Sequence, residues 1–229
     1  MRYTDDYNKI KQLKIKRRKR QLKRRLFMIG TMFLLMLVGG LKLLGIGPFS
    51  STYTEREVEK MMLEQPEMDI QLLTVNPYSR PGTQSSKINN IVIHYTANPG
   101  TTAMQNRNYF EGLKDSKATR ASSHFIVGLD GEIIQCVPTW EIAYASNNRN
   151  DDTVSIETCH LEEDGSYTKE TYLSLVKLTA WLCEKFNLTE KDVIRHYDIT
   201  GKVCPKYFVD HEDEWSEFKN DVRTVLREK

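Results

Sequence analysis

The sequence predicts a mixed α/β domain with a single central β-sheet flanked by helices, preceded by one transmembrane helix. From residue 88 onward, short apolar segments alternate with segments of helical periodicity, which is the pattern of one sheet with helices packed on it. An uncharged apolar run near the N-terminus predicts the membrane helix. The 229 residues are 28% charged and 39% hydrophobic, which is ordinary for a chain with one sizeable globular domain.

The N-terminal region has the pattern of a membrane anchor. Residues 1–25 contain twelve Lys or Arg and two Asp or Glu, and we expect them to form a basic cytoplasmic tail. The run from Leu26 to Leu41 carries no charge and continues after Lys42 as a second apolar piece. Because about 20 apolar residues cross a bilayer, we expect a transmembrane helix over 26–47.

The orientation of this helix follows from the basic residues before it. Loops rich in Lys and Arg stay on the cytoplasmic side, so the expected localisation is the cell membrane, single-pass, with the folded domain extracellular. A cleaved signal peptide is the alternative, but the basic region is long for one and residues 45–51 lack a convincing small-x-small cleavage site. The basic run could also bind nucleic acid. Next to a membrane span it is better explained as a topology signal, and we expect no nucleic-acid partner.

Residues 48–87 are predicted to form an extracellular stem or linker. They include a short helical pattern over 54–64 and a turn-rich stretch over 76–86. The folded domain is then predicted to occupy 88–229, and about 140 residues are enough for one proper core.

The first half of this domain contains a central strand, a helix and a hairpin. The strand Ile88–Tyr95 is apolar on both faces except for its end. Thr101 or Thr102 can cap the following helix. Two strands over 123–137 flank an Asp-Gly pair at residues 130 and 131, which is a strong hairpin signal.

The second half alternates strands with longer helices. Thr153–Thr158 reads as a strand with Ser155 and Glu157 on one face. Residues 169–186 have an apolar stripe at helical spacing. A strand over 193–195 leads to His196, and a last helix starts at about Glu212.

The segment 195–205 contains three chemically useful side chains. His196 and Cys204 are residue types that bind zinc, and Lys202 lies between them. Since a catalytic zinc takes three protein ligands, a third ligand is needed from elsewhere. His94 is the best candidate because it stands near the end of a buried strand, where sites are commonly built.

Four motifs, in order and in spacing, resemble those of the zinc-dependent N-acetylmuramoyl-L-alanine amidases of the type 2 amidase family. That family shares its fold with phage lysozyme-like amidases and peptidoglycan recognition proteins. The resemblance covers about residues 76–210. The motifs are His94-Tyr-Thr-Ala-Asn98, Ser123-His-Phe125, Ser155-Ile-Glu157 and His196-Tyr-Asp-Ile-Thr-Gly-Lys-Val-Cys-Pro205.

The resemblance implies His94, His196 and Cys204 as ligands of Zn²⁺, with Glu157 and Lys202 as catalytic residues. It implies a peptidoglycan substrate, cleaved at the amide between N-acetylmuramic acid and L-alanine. A carboxylate beside activated water can move the proton to the leaving amine, and a cation can stabilise the oxyanion.

Four further residues are candidate substrate contacts: Tyr95, Asn98, Tyr144 and His124. For His124 a second interpretation stays open, in which the side chain braces the site instead of lining the cleft. The other two histidines, His160 and His211, stand in charged surroundings and are expected to be solvated.

The chain departs from the family pattern at two places. Many relatives have a tyrosine where this chain has Ser123, so Glu157 would act as the base without a phenol there. Many relatives also have Trp-His after the hairpin, whereas residues 143–147 here read Ala-Tyr-Ala-Ser-Asn. The glycan and peptide contacts are therefore open.

Two alternatives to the zinc enzyme remain. The domain could be a catalytically inactive peptidoglycan-binding or regulatory module, although such a module would need neither Glu157 nor Lys202. Cys204 could instead be a thiol nucleophile with a histidine base, which chelators would not inhibit. With Cys204 in the site, three cysteines remain, and we expect no structural disulfide. Nothing in the sequence indicates an oligomeric state.

Overall fold

The computed structural model describes residues 57–227. The predicted basic tail and transmembrane helix, residues 1–25 and 26–47, lie outside the described residues. Within 57–227, no helix is both long enough and apolar enough to span a membrane.

The described chain contains one mixed six-stranded sheet, as predicted. The strand order is β1-β4-β3-β5-β2-β6. Only the β3–β4 pair is antiparallel among the pairs of this sheet; the other four pairs are parallel. The strands are β1 (Asp69–Ile70), β2 (Asn90–Tyr95), β3 (Phe125–Val127), β4 (Ile133–Gln135), β5 (Thr153–Thr158) and β6 (Val193–Arg195).

Five α-helices follow strand β1 in the described part, and the predicted long ones are confirmed. Thr102 caps α1 in a capping box with Gln105, and the Thr168 side chain caps α2. The helices are α1 (Ala103–Ser116), α2 (Lys169–Phe186), α3 (His196–Thr200), α4 (Lys206–Asp210) and α5 (Glu212–Arg227), with 3₁₀ turns at Asn147–Arg149 and Glu190–Asp192.

Strand register places polar and apolar side chains in one row across the sheet. Ile134 pairs with Ile126, Ile126 with Glu157, and Glu157 with His94. Paired residues point to the same face, and Ile126 and Ile134 belong to the buried cluster that packs beneath α1. The site therefore lies on the α1 side of the sheet. On the other side α2 packs against β2 and β3, and α5 packs on α2.

The predicted start of the folded domain at Ile88 is too late. Strand β1 pairs with β4 at the edge of the sheet, and Leu73 is 1% exposed within the core beneath α1. Arg80 donates two hydrogen bonds to the Glu141 carboxylate, at 2.7 and 2.8 Å. Much of the predicted stem is thus part of the domain. Its predicted helix over 54–64 does not persist, because the described chain leaves helical structure after Val58.

All four cysteines are buried and free. Cys136 and Cys159 lie in the cluster beneath α1, while Cys183 lies on the buried stripe of α2. These three behave as small apolar core residues. Cys204 is the exception, because it lies with two histidines.

Candidate active site

The ends of β2 and β5 deliver His94 and Glu157 side by side. The two residues are register partners on parallel neighbouring strands. Neighbouring strands lie about 4.8 Å apart, so the backbone alone fixes the imidazole and the carboxylate close together on one face. His94 is 2% exposed.

A short, well-anchored segment supplies His196 and Cys204. Arg195 donates to Asp198, to Glu212 and to the Phe208 carbonyl, which ties α3, α4 and α5 together. The Tyr197 amide donates to the Cys204 carbonyl at 2.9 Å and closes the loop between the two candidate ligands. Gly201 ends α3 with φ of 76°, a left-handed conformation that glycine adopts without strain.

His94, His196 and Cys204 form a compact donor cluster. One ligand atom from each lies within 4.8 Å of the other two. The Cys204 Sγ lies 3.8 Å from His94 Nδ1, and the two imidazole centroids are 4.8 Å apart. Ligand atoms around a tetrahedral zinc with these donors are about 3.5 Å apart. The donor set and its spacing therefore fit a zinc ion.

The electrostatics of the cluster suit metal binding by the histidines. Burial and the neighbouring His196 lower the pKa of His94 well below its usual range. Burial, then Lys202, lowers the pKa of His196. Both imidazoles are thus kept neutral, which is the form that binds a metal ion.

The thiol of Cys204 is a poor free nucleophile. Burial and the nearby Glu157 carboxylate raise its pKa to about 12. Activated cysteine nucleophiles have a lowered pKa instead. This argues against the thiol-nucleophile alternative, whereas a thiol that coordinates a metal ion is deprotonated by that ion.

Glu157 is a carboxyl group in an apolar setting. Its Oε2 atom is buried and has no hydrogen-bond partner among the described residues. Burial raises the pKa of Glu157 to about 8, and the positive charge of Lys202 acts in the opposite direction. A carboxyl group whose pKa lies near neutral pH is suited to proton transfer. Lys202 itself is exposed.

The four predicted substrate contacts differ in their access to solvent. Asn98 is exposed on the loop after β2, and Tyr144 is partly exposed on the loop after β4. Tyr95 is partly exposed and stacks on His160 with a centroid distance of 5.2 Å. These three remain available to a ligand.

His124 is not available to substrate, so its predicted substrate contact is wrong. The residue is 1% exposed, and both ring nitrogens are engaged. The Ser155 amide donates to Nδ1 at 3.0 Å, and Nε2 lies 2.9 Å from the Glu141 carbonyl. His124 therefore braces the loop after β4, close to the second interpretation of its role.

Two other sequence expectations have definite outcomes. His160 is 1% exposed and its Nδ1 lies 2.8 Å from the Glu162 carbonyl, so the expectation that it is solvated is wrong. His211 is exposed, as expected. Ser123 is buried, with its hydroxyl 2.9 Å from the Phe125 carbonyl and 3.0 Å from that of Ser155. It therefore serves the packing of β3 and leaves Glu157 as the candidate base.

Asn147 is a residue of the site that the sequence does not predict. Its Oδ1 lies 2.8 Å from Nε2 of His196, so it directly contacts a candidate ligand. Two consecutive asparagines at 147 and 148 are a turn signal, but local composition does not reveal a partner 49 residues away.

Comparison with known proteins decides the family. The family model described as N-acetylmuramoyl-L-alanine amidase, Amidase_2, matches residues 84–207, which include all three members of the donor cluster. The chain belongs to this amidase family. It is 34% identical over 168 residues to the N-acetylmuramoyl-L-alanine amidase CwlL of Bacillus licheniformis, covering 68% of this chain and 46% of CwlL.

A second curated relative and a solved structure agree with this membership. The N-acetylmuramoyl-L-alanine amidase BlyA of Bacillus subtilis is 34% identical over 175 residues, covering 67% of this chain and 46% of BlyA. The structure of the catalytic domain of XlyA, a Bacillus subtilis amidase, superposes with a TM-score of 0.58 at 26% identity, covering 69% of this chain and 99% of that domain. This chain thus spans about half the length of the curated relatives CwlL and BlyA. It spans nearly all of the catalytic domain of XlyA.

Proposed function

We propose that this chain is a zinc-dependent amidase that hydrolyses the amide joining the lactyl group of N-acetylmuramic acid to L-alanine in peptidoglycan. The named activity of CwlL and BlyA supports this reaction. The observation that carries the proposal is the placement of Glu157, which has a buried carboxyl oxygen and is paired by strand register with His94.

A buried carboxyl oxygen without a partner costs stability. Oε2 of Glu157 is such an atom, in a sheet row otherwise filled by Ile126, Ile134 and His94. A module that only binds peptidoglycan has no use for this arrangement. A hydrolase needs it, because the carboxyl group takes a proton from the attacking water and returns it to the amine of L-alanine.

Lys202 is suited to stabilise the negative charge that develops on the attacked carbonyl oxygen. It lies two residues before Cys204 in the sequence, and its positive charge acts on His94, His196 and Glu157 alike. These effects support a place for the ammonium group near the three side chains. A cation held at this place favours the oxyanion over the neutral amide.

His94, His196 and Cys204 would hold the zinc ion. Their donor types and mutual distances fit it. When bound, zinc supplies a Lewis acid that polarises the carbonyl and makes water acidic enough to react near neutral pH. The residues of the chain orient the substrate and move the proton.

The proposal includes a membrane anchor. The uncharged run over 26–41 and the basic residues before it support a single-pass helix with the catalytic domain outside the cell membrane. There it would act on peptidoglycan close to the membrane. Protease protection of the full-length chain in sealed cells tests this part, because cleavage of the domain by external protease is expected and full protection would refute the orientation.

The central experiment digests isolated peptidoglycan with the full-length chain and identifies the soluble products by mass spectrometry. Stem peptides with a free L-alanine amino terminus are expected, lost after treatment with a zinc chelator and recovered when zinc is restored. A protein that retains zinc and binds the wall but releases no such peptides would be an inactive binding module. Activity that persists after chelation would refute the role of zinc.

A further inference from the structure

The contact between Asn147 and His196 joins two distant parts of the chain at the donor cluster. His196 begins α3, and its Nε2 lies 2.8 Å from Oδ1 of Asn147. Asn147 starts the 3₁₀ turn between β4 and β5 and has φ of 53°. Asparagine is among the few residues other than glycine that occupy this left-handed region readily.

The turn that carries Asn147 is held from both sides. Asn150 accepts hydrogen bonds from the amides of Ala145 and Ser146 through Oδ1, at 3.0 and 2.6 Å. Arg149 donates to the carboxylate of Asp152 at 2.8 Å. These hydrogen bonds hold the turn in place, and the turn positions the side-chain amide of Asn147 against His196.

Further contacts attach the same turn to the sheet. Arg149 also donates to Oδ1 of Asn90 at the start of β2, and its carbonyl accepts from the hydroxyl of Thr153 at the start of β5. Strands β2 and β5 are the two that carry His94 and Glu157. The position of Asn147 is therefore tied to the strands that build the site.

The contact with Asn147 determines which nitrogen of a neutral His196 imidazole carries the proton. One ring nitrogen carries a proton and the other carries the lone pair that can bind a metal ion. An amide oxygen accepts but does not donate, so Nε2 of His196 must be the protonated nitrogen in this contact. The lone pair is then at Nδ1, and the hydrogen bond from Nε2 to Asn147 fixes the orientation of the ring.

We propose that Asn147 is a positioning residue that fixes the tautomer and ring orientation of His196, so that its Nδ1 is presented to the metal ion. This inference rests on the proposed function, because it assumes that the cluster binds zinc. Asn147 itself is exposed and is not proposed to bind the metal ion or take part in the chemical step.

Three variants of the full-length chain test the inference. Asn147→Gly removes the amide without straining a backbone with φ of 53°. Asn147→Asp keeps an oxygen acceptor and tolerates the same backbone conformation. Asn148→Gly adds a glycine to the same turn at an exposed neighbour and is the matched control for flexibility.

The first measurement is zinc affinity, determined by competition with a chromogenic chelator. Asn147→Gly is expected to weaken affinity by about 10- to 100-fold, the range typical of lost partners of metal-binding histidines. Asn147→Asp should recover most of the affinity, and Asn148→Gly should match the wild type. A merely structural role for the turn would instead make both glycine variants equally weak.

The second measurement reads the tautomer directly in the zinc-free chain. Long-range ¹⁵N–¹H correlation spectra of ¹⁵N-histidine-labelled protein distinguish protonated from unprotonated ring nitrogens, and a His196→Gln variant assigns the signal among the five histidines. The wild type should show His196 protonated at Nε2, and Asn147→Gly a mixture of tautomers.

The outcomes separate this inference from the proposed function. A wild type protonated at Nδ1, or an Asn147→Gly variant with unchanged tautomer and zinc affinity, would overturn the positioning role even if the enzyme is an active zinc amidase. A wild type that binds no zinc would overturn the proposed function and the inference together.

Discussion

His94 and Glu157 are direct register partners on the parallel strands β2 and β5. One is a candidate metal ligand and the other the candidate base, so their separation is set by the hydrogen bonds of the sheet and not by a flexible loop. His196, Lys202 and Cys204 approach this pair from the segment after β6, which Arg195 anchors. Rigid support of this kind favours a preorganised site.

Replacing Glu157 with glutamine should remove catalysis and leave the metal site intact. Glutamine has the same shape but cannot accept the proton, so the rate of peptide release should fall by about 10²- to 10⁴-fold. Mass spectrometry of released stem peptides gives the rate, and zinc analysis gives the metal content. Glu163→Gln, on the exposed loop after β5, is the control. Near-normal turnover by Glu157→Gln would exclude Glu157 as the base.

Replacing Lys202 with methionine should lower kcat with a smaller change in KM. The ammonium group is expected to favour the oxyanion of the transition state, and loss of one such group typically costs about 10²- to 10³-fold. Lys202→Arg should retain part of the activity because it retains the charge. Lys191→Met, exposed on the turn before β6, is the control. A change confined to KM would point to substrate binding instead of transition-state stabilisation.

Local sequence patterns predict most of the fold. The strand Thr153–Thr158 and the helix Lys169–Phe186 have the predicted bounds, because alternation and helical periodicity are properties of neighbouring residues. The donor cluster of His94, His196 and Cys204 is also where the sequence predicts it. Two histidines and one cysteine in this combination have few functions other than metal binding.

The features that were missed depend on contacts between distant residues. Strand β1 has two residues and its Ile70 is 62% exposed, so alternation could not reveal it, and the core role of Leu73 depends on pairing with β4. His124 became a buried brace through Ser155 and Glu141. The contact of Asn147 with His196 also joins residues that are distant in the sequence. Such hydrogen bonds leave no periodic signal in the sequence.

The role of His124 as a buried neutral brace predicts a specific pH dependence of stability. Burial lowers its pKa to about 4 from 6.5, while the Glu141 carbonyl acts the other way. Between these values the unfolded chain binds a proton that the folded chain does not, so the free energy of unfolding falls as the pH falls. At about 1.4 kcal/mol per pKa unit, the complete loss over this interval is about 3.4 kcal/mol.

Urea unfolding of zinc-free protein at pH 7 and pH 4.5 measures this loss. His124→Gln cannot titrate, so its stability should fall less between the two pH values than that of the wild type. His211→Gln, at an exposed histidine, should retain the wild-type difference. If His124→Gln and the wild type lose stability equally, His124 is not held neutral in the folded protein.

The two consecutive leucines after β1 test whether the predicted stem belongs to the core. Leu73 is 1% exposed and Leu72 is 37% exposed. Leu73→Ala leaves a cavity beneath α1, and such changes lower the free energy of unfolding by about 2–5 kcal/mol. Leu72→Ala removes the same atoms from a half-exposed position and should cost about 1 kcal/mol or less. Urea unfolding at neutral pH compares the two. Equal small losses would mean that residues 69–87 are a linker after all, whereas a large loss confined to Leu73→Ala requires any active fragment to begin before β1.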